Sequence, residues 1–149
     1  MLLYFAYGSN LDLAQMRRRC PESRAVCPGK LPNYRLAFNR YSSVWKCGVA
    51  DIVEDHDGDV WGLVYKISDS DLHSLDRYEG YPTAYTRFQT RIHTETDIMA
   101  EVWVYTVCEK GDFIAPGSAY LGIIRKAAEE YAFPAPYRKM LERIAADHP

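Results

Sequence analysis

The fold is constrained most by a series of short β-type runs that follow one another through the middle of the chain. Alternating or clustered apolar, β-branched and aromatic residues predict strands at about residues 34–38, 48–53, 60–65, 86–92 and 100–107. The sequence Asp55-His56-Asp57-Gly58, between the second and third runs, is typical of a hairpin turn. Consecutive strands joined by short turns favour a mainly antiparallel sheet or barrel over a doubly wound sheet.

Helical patterns border these strands on both sides. Residues 12–16 predict a short helix, and the three arginines at 17–19 would form its cationic last turn, which suits the helix dipole. Residues 21–32 are rich in breakers and indicate a connection. Apolar side chains recur at helical spacing at about 120–131 and 137–145, which predicts two helices that pack on the core.

The composition predicts a single globular domain. With 149 residues, of which 48% are hydrophobic, the chain is long enough to bury a packed core. Its net charge of −2, with both signs dispersed, gives no nucleic-acid footprint. The first three residues lack the features of a secretory signal, and no run approaches the length of a transmembrane span. We therefore expect a cytoplasmic protein with no membrane or nucleic-acid partner.

The metal-ligating residue types show no recognised spacing. The four cysteines contain no C-x-x-C pair, and the histidines, which are His56, His73, His93 and His148, form no H-E-x-x-H pair. We therefore expect no metal site. An even number of cysteines does not argue for disulfides in a chain that can build its own core, so we expect reduced thiols.

The segment Tyr4-Phe5-Ala6-Tyr7-Gly8-Ser9-Asn10-Leu11 is the first candidate for a functional site. A run of β-forming residues stops at Gly-Ser-Asn, directly before the short helix. Such a turn exposes backbone N–H groups that can hold an anion or the oxygen of a polarised carbonyl. Gly8, which has no Cβ and tolerates positive φ, would let a ligand approach the backbone. The same residues also suit an ordinary turn, with Asn10 or Asp12 as helix cap.

A carboxylate in an unfavourable position is the second candidate. Residues 68–80 predict a short helix, with serine and aspartate at its start and Gly80 just after its end. Glu79 then lies in the last turn, where the helix dipole disfavours an anion by about 0.3–1 kcal/mol. The neighbouring rings of Tyr78, Tyr81 and Tyr85 would desolvate it further. We therefore predict a raised pKa for Glu79 and a group that exchanges a proton near neutrality.

Several motifs, taken together and in order, resemble those of the gamma-glutamylcyclotransferases. The similarity runs from about residue 4 to residue 144. It is carried by the segment from Tyr4 to Leu11, Gly48-Val49-Ala50, Asp59-Val60-Trp61-Gly62-Leu63-Val64-Tyr65, Ser74-Leu75-Asp76-x-x-Glu79-Gly80, Pro116-x-Ser118-x-Tyr120 and Phe133-Pro134-x-x-Tyr137. Each motif is weak alone, and their shared order and spacing make the resemblance specific.

The resemblance implies an α+β fold, a small mixed, mostly antiparallel β-barrel with flanking helices, as one domain over residues 1–149. It implies a cofactor-free reaction in which a γ-glutamyl amino acid or amine closes on itself to give 5-oxoproline and the free amine. Glu79 would be the catalytic acid and base, and a homodimer is the assembly that the family suggests. The implied substrate-binding residues are Tyr4, Phe5, Ala6, Tyr7, Gly8, Ser9, Asn10, Tyr85 and Tyr120.

Other functions remain open at this stage. A related enzyme could remove a γ-glutamyl group from a pathway intermediate or from γ-glutamyl-lysine, and a non-catalytic barrel could only bind an amino-acid derivative. The glutathione-specific branch is disfavoured because its loop does not usually continue as Ser-Asn-Leu. The sequence does not identify the leaving group, which we expect to contact a variable loop such as residues 40–46. It also leaves open whether the Gly8 and Ser9 amides hold the reacting carbonyl or the substrate carboxylate.

Overall fold

A computed structural model describes residues 1–146, so His148 lies outside the described residues. Strands and helices alternate in an irregular order along the chain. Their bounds are β1 Leu2–Ala6, a short 3₁₀ helix Ser9–Leu11, α1 Leu13–Arg19, β2 Arg24–Ser42, β3 Cys47–Ile67, α2 Asp69–Glu79, β4 Tyr85–His93, β5 Ile98–Val107, α3 Ser118–Glu130 and α4 Ala135–Arg143.

The five strands form a closed barrel in the order β1-β3-β2-β4-β5. The pairs β1–β3, β2–β3, β2–β4 and β4–β5 are antiparallel. The barrel closes through a parallel pairing of β1 with β5, in which Tyr4 lies opposite Trp103. The predicted α+β fold, a mixed and mostly antiparallel barrel with flanking helices, is therefore confirmed.

The predicted hairpin at residues 55–58 is wrong. β3 continues through this segment, and the chain reverses instead at residues 43–46, between β2 and β3. The segment still makes a hydrogen bond that is typical of a turn, in which the Asp57 N–H donates to Asp55 Oδ1 at 3.2 Å. Asp59 pairs with Pro32 and Glu54 pairs with Tyr34, so residues 55–58 form a bulge inside the strand rather than its end.

The predicted connection over residues 21–32 is also wrong beyond its first residues. β2 begins at Arg24 and includes Pro28 and Pro32. Proline is tolerated there because the strand is irregular, with register shifts on either side of these residues, and because only Lys30 pairs with β4. The breaker residues therefore lie in an irregular strand rather than in a loop.

The barrel interior and the helices that cover it form one apolar core. Its fully buried members come from every strand and include Phe5, Leu31, Ile52, Ile92 and Val104. The apolar stripes predicted for the last two helices are buried as expected, through Leu121 and Ile124 in α3 and Leu141 in α4. Among the helices of residues 1–146, none is long and apolar enough to cross a membrane.

The close crossing of β1 and β3 depends on a glycine. A Cβ at Gly62 would meet the backbone oxygen of Ala6 and would lie 2.7 Å from the Phe5 ring. We predict that Gly62→Ala lowers the free energy of unfolding by about 1–3 kcal/mol, because the strands must separate to admit the methyl group. Urea unfolding followed by circular dichroism would measure the change.

Gly122→Ala is the matched control for this prediction. Gly122 lies inside α3, and apart from its chain neighbours and the backbone of the helix itself, no atom of residues 1–146 lies within 4 Å of the position that its Cβ would occupy. Alanine has a higher helix propensity than glycine, so this variant should be more stable than the wild type by about 0.5–1 kcal/mol. Equal effects at the two glycines would contradict the steric explanation.

Candidate active site

One cavity of about 460 Å³ collects most of the residues that the sequence indicated. Three segments supply much of its wall: the turn after β1, the β2–β3 hairpin at residues 40–45, and the end of α2 at residues 77–80. Further lining residues come from β1, α1, β3, β4, β5 and α3. The aromatic residues in the wall are Tyr4, Phe5, Tyr7, Tyr41, Trp45, Tyr78, Tyr85, Tyr105 and Tyr120. The cavity wall is therefore rich in aromatic side chains.

Helix α2 brings Glu79 to this cavity, and both of its ends are capped. Ser68 Oγ accepts a hydrogen bond from the Asp71 N–H at 3.1 Å, and Asp71 Oδ2 accepts one from the Ser68 N–H at 3.2 Å. Gly80 ends the helix in the left-handed conformation, with φ of 66°. Glu79 is the last residue of the helix, as the sequence predicted.

Glu79 has a carboxyl group that is easily neutralised. Desolvation by burial raises its pKa from 4.5 to about 7, against the opposing effect of the positive charges of Arg19 and Arg40. Part of the residue remains accessible because it borders the cavity. The rise in the pKa of Glu79 agrees with the sequence-based prediction, but not all the tyrosines that were expected to desolvate it lie beside the cavity. Tyr85 lines the cavity, whereas Tyr81 stacks on Arg87 outside it, with 4.5 Å from the guanidinium carbon to the ring centre.

The turn after β1 packs directly against Tyr120. Gly8 has φ of −120°, so the sequence-based argument from positive φ does not apply. A side chain is excluded for another reason, since a Cβ would lie 2.8 Å from Tyr120 Oη. Asp12 caps α1 by accepting from the Ala14 N–H at 3.1 Å, as one of the two expected caps.

The hydroxyl groups around the cavity fall into two classes. Tyr7 donates to the backbone oxygen of Tyr105 at 2.8 Å, and Tyr85 donates to that of Ala50 at 3.0 Å. The Tyr120 hydroxyl instead accepts from the Ala50 N–H at 3.0 Å, and it donates to no group of residues 1–146. Burial raises the pKa of Tyr120 well above its ordinary value, so it remains a donor at neutral pH.

The Tyr4 hydroxyl likewise donates to no group in the described part of the chain. Its oxygen accepts from Asn10 Nδ2 at 3.0 Å. Asn10 is held in this orientation because its Oδ1 accepts from Gln15 at 3.0 Å and from Arg19 at 3.2 Å. Both ends of the Asn10 amide are therefore engaged by protein groups, so this residue orients Tyr4.

Of the ten residues predicted for the site, nine line the cavity. They are Tyr4, Phe5, Tyr7, Gly8, Ser9, Asn10, Glu79, Tyr85 and Tyr120. Ala6 does not line it: the residue is buried in the core, where its backbone oxygen approaches Gly62 across the β1–β3 pair. Its prediction as a substrate-binding residue is not supported by this position.

Sequence reasoning missed several cavity residues, among them Arg19, Arg40 and Tyr105. Arg19 was interpreted only as a helix-ending cation, and it indeed belongs to the last turn of α1. The hairpin region at residues 40–46 was expected to contact the leaving group, but no local pattern distinguished Arg40. Among residues 1–146, no three His, Cys, Asp or Glu side chains are arranged to hold a metal ion.

The closed barrel and its carboxyl-bearing aromatic cavity define a small barrel enzyme. A family model described as gamma-glutamyl cyclotransferase, AIG2-like, matches residues 4–121. The chain is 32% identical to the gamma-glutamylcyclotransferases of Homo sapiens and of Bos taurus, over 95% of its own length and 78% of theirs. A solved structure named gamma-glutamyl cyclotransferase superposes with a TM-score of 0.90 at 29% identity, covering 98% of this chain and 89% of that one. The protein belongs to the gamma-glutamyl cyclotransferase family.

The raised pKa of Glu79 has a consequence for stability. The folded protein retains a proton on this group up to about pH 7, whereas an unfolded chain releases it near 4.5. The stabilising contribution is therefore complete below pH 4.5 and is lost as the pH rises through 7. We predict that at pH 8 the free energy of unfolding of Glu79→Gln exceeds that of the wild type by up to about 3 kcal/mol, so that the variant unfolds at a higher urea concentration.

This difference should vanish towards pH 4, where the wild-type carboxyl is neutral as well. Urea unfolding of both proteins at several pH values would measure it. A stability difference that does not change with pH would contradict the desolvated position of Glu79.

Proposed function

We propose that this protein converts a γ-glutamyl amino acid or amine into 5-oxoproline and the free amine, with Glu79 as the single proton carrier. The observation that carries the proposal is the position of Glu79, at the edge of an aromatic cavity and with a pKa of about 7. A group with this pKa is present in both protonation states near neutral pH, which suits an acid–base catalyst.

The reaction needs no nucleophile from the protein. The substrate α-amine attacks the γ-carbonyl carbon, so a carbon–nitrogen bond forms in the ring while the γ-amide carbon–nitrogen bond breaks. The α-ammonium group loses two protons, and the leaving amine gains two. Glu79 would transfer them in turn, first as the base and then as the acid. Atoms and charge balance without water, redox chemistry or a cofactor.

The cavity must hold the substrate folded so that its amine meets its own carbonyl. Correct orientation of reacting groups can supply about 7–11 kcal/mol of the barrier. The hydroxyl groups of Tyr4 and Tyr120 would help to hold the substrate by donating hydrogen bonds to its oxygens, since both hydroxyls are buried and only accept from protein groups of residues 1–146. The Gly8 and Ser9 backbone would complete the pocket for the γ-glutamyl part.

A non-catalytic binding role is disfavoured by the same carboxyl. A simple binding pocket gains nothing from a desolvated Glu79, which destabilises the folded protein above pH 7. Removal of a γ-glutamyl group from γ-glutamyl-lysine uses the same chemistry and differs in the leaving amine. The cytoplasmic location and the homodimer remain predictions, which cell fractionation and solution mass would test.

The decisive assay incubates the purified protein with a panel of γ-glutamyl compounds, including γ-glutamyl-lysine, and measures 5-oxoproline and the released amine. We predict that Glu79→Gln lowers kcat by about 10²- to 10⁴-fold, because the proton carrier is lost. In the wild type, kcat/KM should fall as the pH decreases below about 7, where Glu79 becomes protonated.

Glu142→Gln is the control for that variant, since Glu142 is exposed on α4 and lies outside the cavity. It should turn over like the wild type. Unchanged 5-oxoproline release by Glu79→Gln would remove the acid–base role, and no activity on any compound would favour a binding protein.

For Tyr120→Phe we predict a loss of about tenfold in kcat/KM, equivalent to one hydrogen bond of about 1.4 kcal/mol to the substrate. Tyr137→Phe is the matched control, because Tyr137 is a buried tyrosine in α4 that does not line the cavity. Wild-type kinetics in Tyr120→Phe would reassign its hydroxyl to the packing of the turn. Urea unfolding of both variants would separate a loss of stability from a loss of catalysis.

A further inference from the structure

Three arginines line the cavity, and they differ in what holds them. Arg19 donates to Asn10 Oδ1 at 3.2 Å, and its guanidinium lies 4.4 Å from the centre of the Tyr78 ring. Arg77 donates to Ser74 Oγ at 3.1 Å and is exposed. Arg40 is half-buried and makes no side-chain hydrogen bond or ion pair with any group of residues 1–146. All the hydrogen-bond donors of the Arg40 side chain are therefore available to a ligand in the cavity.

The backbone around Arg40 is built to direct it. The register of β2 against β3 shifts between Phe38 and Arg40, so Asn39 forms a bulge at this point. Asn39 is buried, and its Nδ2 donates to the buried carboxylate of Asp51 at 2.9 Å. A bulge changes the direction of the neighbouring side chains, and the bulge at Asn39 is held in place by its hydrogen bond to Asp51.

The surroundings of Arg40 match a small anion. Its guanidinium lies 5.8 Å from the centre of the Tyr85 ring, on the wall that also holds Ser42 and Ser43. Arg40 makes no ion pair with a carboxylate of residues 1–146, and a carboxylate on a ligand would supply both the charge and two acceptor oxygens for its guanidinium. An uncharged alkyl group at the same place would leave the cation unpaired.

We propose that Arg40 binds a carboxylate on the leaving amine and so selects γ-glutamyl amino acids over γ-glutamyl amines that lack this group. The inference rests on the proposed function and names the leaving-group class that the sequence left open. Arg40 belongs to the β2–β3 hairpin, whereas Gly8 and Ser9, which would hold the γ-glutamyl part, belong to the turn after β1. The two ends of the substrate would thus meet different walls of one cavity.

The test compares two compounds that differ in one carboxylate, γ-glutamyl-alanine and γ-glutamyl-ethylamide. The wild type should prefer the alanine compound in kcat/KM by at least about tenfold, the effect of one charge-assisted hydrogen bond. Arg40→Gln should abolish this preference, by lowering kcat/KM for γ-glutamyl-alanine at least about tenfold while changing that for γ-glutamyl-ethylamide less than about threefold. Arg40→Lys, which keeps the charge, should retain part of the preference.

Arg19→Gln is the matched control. The charge of Arg19, like that of Arg40, opposes the rise in the pKa of Glu79, so its removal reproduces the electrostatic effect on the carboxyl without touching the leaving-group wall. It should affect both compounds alike. Equal losses for both compounds in Arg40→Gln, or no preference in the wild type, would overturn the inference. No 5-oxoproline from either compound would refute the proposed function itself, and the inference with it.

Discussion

The contact on which the site depends is the ion pair that fixes the end of α2 to the barrel. Arg87 of β4 donates to both carboxylate oxygens of Asp76, at 2.8 and 3.1 Å. Tyr105 of β5 adds a hydrogen bond to the same carboxylate at 2.7 Å. The Arg87 guanidinium carbon also lies 4.5 Å from the centre of the Tyr81 ring and 4.3 Å from that of Trp103. Glu79 follows Asp76 by three residues, on the same side of the helix, so the anchor for one carboxylate positions the other.

Two carboxyl groups on one short helix, those of Asp76 and Glu79, have pKa values that are shifted in opposite directions. Burial alone would raise the pKa of Asp76, but the hydrogen bonds from Arg87 and Tyr105 more than compensate and lower it. Glu79 is desolvated without such donors, and its pKa rises. One group remains a charged anchor over the working pH range, while the other can change its protonation state. Divergent pKa values in neighbouring acids are the physical mark of separate roles.

The sequence predicted the parts of the site that depend on local chemistry. The caps at Ser68 and Gly80 place Glu79 at the helix end, and the break after Ala6 marks the turn. It could not predict contacts across the barrel. Tyr105 lies 98 residues from Tyr7, to which it is hydrogen-bonded. Ala6 was predicted together with its neighbours in the segment, but it is buried in the core and does not line the cavity, and nothing in the sequence indicated this difference. The hairpin at 55–58 failed because the same turn residues also serve a bulge.

The arrangement of the cavity also depends on the backbone of Ala50. The N–H of Ala50 donates to Tyr120, and its carbonyl accepts from Tyr85, so a single peptide segment orients two hydroxyls in opposite senses. The next residue, Asp51, fixes that segment, because its buried carboxylate accepts from the Val107 N–H at 2.8 Å and from Lys110 at 2.7 Å. Backbone groups held by a closed barrel cannot rotate as side chains can. The Tyr120 hydroxyl, which we propose as a donor to the substrate, is therefore oriented before the substrate arrives, and this is the condition under which orientation lowers a barrier.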